Sequence, residues 1–154
     1  MLLNIAIAAF VIVLTTGIHA GGMILAIRII RLCGKRLRLR LQRTHIYWVG
    51  GIVLLMFLVS LVEVLVWAAT YLGLNAIQGF EQALYFSMVT FTTLGYGEIV
   101  LDERWRLLAS FEATNGIIMF GWTTAIVIAA VQRIYFNKES IREQKQDRKD
   151  GLGK

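Results

Sequence analysis

The chain has 154 residues, 57% of them hydrophobic, and a mean hydropathy of +0.65. A soluble domain of this size cannot hide that much apolar surface, so composition excludes that class and points to a membrane protein. The formal net charge is +6, and the single cysteine, Cys33, excludes an intrachain disulfide.

Met1 to Ile27 carries no charged side chain. At about 1.5 Å per residue, a helix of that length crosses a hydrocarbon layer of roughly 30 Å. A cleaved signal peptide is the rival reading, because Gly17-Ile18-His19-Ala20-Gly21 contains small residues. The start lacks a basic stretch, and the apolar run continues through Met23 to Ile27, which favours a retained helix over 1–32. His19 then lies within the membrane. It is expected to pack against another helix as a satisfied structural residue, with functional titration as the alternative.

Arg28, Arg31, Lys35, Arg36, Arg38, Arg40 and Arg43 follow without an intervening acid. The positive-inside rule places the short loop 33–45 in the cytoplasm and the N-terminus outside. Lys35, Arg36, Arg38 and Arg40 alternate with leucines and could lie on anionic lipid headgroups. Ordinary topogenic charge explains them equally well. Nucleic acid is a poor partner for a cluster pinned between two spans. A voltage sensor is also poor, since its arginines would lie inside an apolar helix. Cys33 reads as a small apolar residue at a helix end.

The second apolar run extends from Tyr47-Trp48 to Trp67 and Tyr71, rings that read as anchors at the two interfaces. Glu63 sits inside it and is costly there unless paired, protonated or near water. After a turn over Leu72 to Gly79, the apolar stretch from Glu81 to Phe91 is too short to cross. It reads as a half-helix with Glu81 at its positive dipole end. The stretch Thr92-Thr93-Leu94-Gly95-Tyr96-Gly97-Glu98 follows, then a polar loop from Ile99 to Arg106. A last apolar run goes from Trp105 to about Val131, with Tyr135 and Phe136 at its inner end. The mixed, charged tail 135–154 has helix-like spacing of Glu139 and Glu143 with Arg142 and Lys145.

An apolar helix, a half-helix, Thr-x-Gly-Tyr-Gly and a second apolar helix resemble the pore domain of tetrameric potassium channels. The resemblance is to the simple pore-loop kind with two helices, here preceded by one additional helix. It covers roughly Tyr47 to Arg133. It implies an all-α membrane protein of three transmembrane helices plus a re-entrant helix and selectivity filter, with a pore domain over 46–134. It also implies a potassium-selective channel, with potassium ions as its only cofactor. The ion sites are then the carbonyls of Thr93, Leu94, Gly95 and Tyr96, with the Thr93 hydroxyl, and Gly97 closes the filter. Thr92, Tyr85 and Glu98 would support it from behind.

The chemistry suits that reading. Backbone carbonyls replace the water of a dehydrating ion without a fixed charge. Aiming successive carbonyls at one axis needs alternating handedness, which Gly95 and Gly97 can supply. One copy of the loop cannot enclose an axis, so a homotetramer is expected. Many relatives carry Asp where Glu98 stands, so the Tyr85–Glu98 contact is in question.

Gly116 falls near the hinge position of related channels; bending and close packing are both open. Glu112 and Glu63 lie at similar depths. Three readings are open: the two share a proton and respond to external pH, each bonds the half-helix, or one or both reach water or a backbone donor. Asn115 is a candidate for the cavity wall. The tail is too short for a nucleotide- or ligand-binding domain. No nucleophile with a matched base supports an enzyme. The alternative to conduction is a silent channel-like subunit that assembles with other channels. The basic loop, the basic excess of the tail, the resemblance to bacterial forms and the lack of glycosylation sites favour a multi-pass protein of a bacterial inner membrane, with a cytoplasmic C-terminus.

Overall fold

The computed structural model describes residues 1–36 and 44–151, with side chains over 1–29, 32 and 49–132. It is all helical in those residues: α1 (Leu2–Arg36), α2 (Thr44–Gly73), α3 (Phe80–Phe91) and α4 (Arg106–Gly151). Three stretches are long and apolar enough to cross a membrane: Leu2–Ile29, Val49–Gly73 and Arg106–Gln132. The fold is therefore that of a multi-pass membrane protein. The chain has no proline, and α4 continues without a break from its apolar part through Gly151. The expected lipid contacts of Lys35, Arg36, Arg38 and Arg40, and the anchors Tyr47, Trp48, Tyr135 and Phe136, lie outside the described side chains.

Local sequence sets the ends of α2 and α3. At the end of α2, Asn75 turns left-handed (φ 52°), a conformation that asparagine tolerates better than most residues. The Ala76 N–H then reaches back to the Tyr71 carbonyl at 2.9 Å, closing the last turn. Gly79 precedes α3 with φ 91°. A Cβ there would also meet the far end of the flexible Gln82 side chain, which can turn aside, so it is the backbone that calls for glycine.

α1 packs on α2 and α4, and α3 is wedged between α2 and α4. The contacts give the directions. Asn4 donates a hydrogen bond to the Arg104 carbonyl, Asn115 donates to Thr15, and His19 meets Thr123, so α1 and α4 run parallel. His19 meets Glu63 while Gly22 packs on Val59, so α1 and α2 run antiparallel. The larger apolar core lies beside α3 and includes Trp67, Tyr71, Phe86, Phe91, Trp105 and Leu108. A smaller one, at the other end, gathers Ala26, Ile52, Met56, Ile126 and Ala130.

Trp67 and Tyr71 correct an expectation. Both are fully buried, not interfacial anchors. The spacing of four from Glu63 to Trp67 to Tyr71 puts all three on one face of α2, and that face turns towards the other helices.

Candidate functional site

The stretch 92–98 hangs from the C-terminal end of α3. The Thr92 hydroxyl donates to the Met88 carbonyl at 2.7 Å. The Thr93 N–H donates to Thr90, and the N–H groups of Leu94 and Gly95 both reach the Val89 carbonyl, at 2.9 and 3.2 Å. The last carbonyls of α3, which have no partner within the helix, are thus taken up by the loop itself.

Beyond that anchor the backbone alternates. Thr93, Gly95 and Gly97 have φ of 60°, 58° and 83°. Every second residue is left-handed, so the strand alternates in hand as the sequence argument requires. Gly95 and Gly97 adopt this at little cost. Thr93 is β-branched, and a residue held there costs about 1–3 kcal/mol, strain of a kind that clusters at functional sites. All seven residues from Thr92 to Glu98 are exposed on the single chain.

Tyr85 donates a 2.7 Å hydrogen bond to Glu98 Oε2. The longer acid therefore still reaches the α3 tyrosine. That bond, before any other influence, holds the Tyr85 phenol above its usual range, so it stays a donor throughout the neutral range. Between α3, the loop and the start of α4 lies a cavity of about 260 Å³, with Tyr85, Val89, Tyr96, Glu98, Val100 and Arg106 in its wall. The neighbouring Phe86 turns the other way and packs edge-on against Tyr71, centroids 5.1 Å apart.

Glu112 and Glu63 do not bond each other. Glu112, on α4, accepts from Tyr71 Oη at 2.6 Å and lies 2.5 Å from Ser87 Oγ on α3. Ser87 Oγ is also 2.9 Å from the Val64 carbonyl oxygen. A hydroxyl has one hydrogen. If Ser87 gives it to Val64, Glu112 must be the donor to Ser87, which requires the neutral acid. Glu63 instead faces α1, with Oε1 2.9 Å from His19 Nδ1, and both residues are fully buried.

Gly116 packs directly on the end of α3: a Cβ there would overlap the Phe91 carbonyl oxygen. Close packing, one of its two open readings, is what the fold displays. Gly121 has open space around it. Asn115 does not line a cavity. It is buried and its amide donates to Thr15 Oγ1 at 2.9 Å, because α1 covers that face of α4.

Sequence reasoning passed over Ser87, Thr15 and Thr123, and took Tyr71 for an anchor. The available signal was a serine within an apolar half-helix, and a threonine one turn from His19.

The ion channel family model matches residues 57–133, half of the chain. The chain belongs to the ion channel family. No curated protein and no solved structure matches it. In this ion channel the matched part starts within α2 and takes in α3, the 92–98 loop and the span of α4, while α1 lies outside it.

Proposed function

We propose that this ion channel is potassium-selective and works as a homotetramer, with Thr93, Leu94, Gly95 and Tyr96 offering carbonyls to dehydrated potassium ions and Gly97 closing the filter. The observation that carries the reading is the alternation of left-handed φ at Thr93, Gly95 and Gly97. Alternation lets successive carbonyls share one side of the strand, and a row of such oxygens from several chains can replace a hydration shell. Tyr85, Thr92 and Glu98 hold the strand from behind. Conduction is passive and needs no nucleotide.

Exposure supports assembly. Non-helical backbone at membrane depth is tolerated only inside protein or lining water, yet Leu94 and Tyr96 are 54% and 65% exposed on one chain. Four copies around an axis would enclose the strand. In this reading the positive-inside rule supports an N-terminus outside, with the basic loop and tail in the cytoplasm of a bacterial cell.

The test is flux through purified full-length protein in liposomes. Potassium uptake that barium blocks, with far slower sodium uptake, is the expected result, and Gly95→Asp should abolish it. Equal rates for the two ions would refute selectivity and implicate Tyr85 and Glu98. A tetramer that passes neither ion, even with Gly116 or Glu112 substituted, would favour the silent subunit.

A further inference from the structure

His19 and Glu63 are an ionisable pair in the membrane interior, a placement that is expensive and by default marks function. Counted along the helices, the pair lies about 15 Å from the end of α2 at Gly73 and about 22 Å from Asn4 on α1. It is therefore deep on either measure. Both side chains are fully buried, and Glu63 Oε2 has no hydrogen-bond partner among the described residues. From α4 the pair meets Trp122, with centroids of the two rings 6.0 Å apart, and Thr123, whose Oγ1 is 3.5 Å from His19 Nε2. The other titratable groups on the packed faces, Glu112 and Tyr71, bond each other. Arg28 is exposed and about 14 Å further along α1.

Proton counting gives the consequence. With one proton between them, the two groups are net neutral, as imidazolium with carboxylate or as imidazole with carboxylic acid. In either form Nε2 carries hydrogen and donates to Thr123. Removing that proton leaves a lone buried carboxylate. The remaining ring hydrogen then goes to Glu63, and Nε2 turns from donor to acceptor. Adding a second proton leaves an uncompensated buried cation, whose Nδ1–H then meets a neutral acid in place of a carboxylate. Both changes are costly in this setting, and the first is felt at Thr123, two turns beyond Gly116 on α4.

We propose that His19 and Glu63 form a one-proton site in the membrane interior, and that the proton held there sets how α1 grips α4 and thereby the flux. The control of flux rests on the channel reading above; the shared proton does not. The site joins α1, which lies outside the ion channel match, to the two helices within it.

Two measurements on the full chain decide it. The first is imidazole ¹⁵N NMR in a His45→Gln background, since the chain has two histidines. The His19 titration midpoint should move when Glu63 is changed to Gln; an unchanged midpoint overturns the shared proton. The second is potassium flux in liposomes between about pH 5 and about pH 9. Flux should vary about fivefold or more, the size of an ordinary coupling between sites. His19→Gln and Glu63→Gln should each flatten that profile, and Glu112→Gln should leave it in place. A profile that survives both substitutions, or that Glu112→Gln flattens equally, overturns control by this pair. A tetramer with no flux at any pH would sink that control along with the channel reading, while the NMR titration would still decide the proton site.

Discussion

Glu112 and Glu63 are both fully buried acids within membrane-crossing helices, but their neighbours differ in kind. Glu112 has two hydroxyls, Tyr71 and Ser87, and the second of these also faces the Val64 carbonyl oxygen. Glu63 has an imidazole. Hydroxyls neutralise no charge, so the Glu112 site is satisfied by geometry and can be filled by a neutral acid. An imidazole can take the proton, so the Glu63 site exists in two forms of equal net charge. The first arrangement fixes α3, which carries the 92–98 loop, against α2 and α4. The second ties α1 to the helices that surround that loop. One carboxyl thus acts as a strut and the other as a charge-balanced joint.

The largest effect should come from breaking the joint. Glu63→Ala leaves His19 buried without its acid, and removing one partner of a buried pair costs about 3–5 kcal/mol. In a denaturing SDS titration of the detergent-solubilised protein, loss of helix should occur much earlier than in the unaltered chain. The double change His19→Leu with Glu63→Leu should recover most of that loss, because well-packed apolar replacements of buried ion pairs are often neutral. If the double change is as unstable as Glu63→Ala, the two groups are not a charge-balanced unit and the contrast with Glu112 fails.

A smaller effect, confined to the strut, is expected from Gly116→Ala. The added Cβ overlaps the Phe91 carbonyl oxygen, so α4 must move away from α3, at a cost of about 1–3 kcal/mol for overpacking. Gly116 is one turn from Glu112, so that movement pulls Glu112 from Ser87 and leaves His19 with Glu63. Potassium flux should fall in this variant while the His19 titration stays as it was. Gly121→Ala, which meets open space within the chain, separates packing from hinge bending. Equal loss of flux in the two alanine variants would favour the hinge.

Much of this was legible in the sequence because the membrane allows few solutions. Long uncharged runs must be helices, and a short one ending in Thr-x-Gly-Tyr-Gly must turn back. The Tyr85–Glu98 contact was within reach for the same reason, since both residues flank the loop. Thr93 is different: a β-branched residue gives no sign of a left-handed φ, which the loop's anchoring to α3 imposes. The partners of the two acids were illegible for another reason. His19 and Glu63 are 44 positions apart, and Ser87 and Glu112 are 25 apart. Which faces meet depends on how each helix is rotated about its axis. Similar depth made a meeting of Glu63 with Glu112 reasonable, but rotation sends one towards α1 and the other towards α3. The same rotation turns Asn115 to Thr15 and buries Tyr71.

The smallest effect is also the sharpest test of the strut. Glutamine has the shape of a neutral glutamic acid, with an amide that donates where the acid proton would and a carbonyl that accepts from Tyr71. If Glu112 donates to Ser87, Glu112→Gln preserves every hydrogen bond in the site and should cost less than about 1 kcal/mol. The SDS titration should barely move, and potassium selectivity should be kept. If Glu112 instead accepts from Ser87 as a carboxylate, the amide sets two donors against each other or forces Ser87 to turn. The loss should then reach about 1–3 kcal/mol, the ordinary cost of a buried polar group left unpaired. Ser87→Ala distinguishes the two further. Added to Glu112→Gln, it should cost the same as it does alone if glutamine mimics the native acid, and much less if the bond has already been lost.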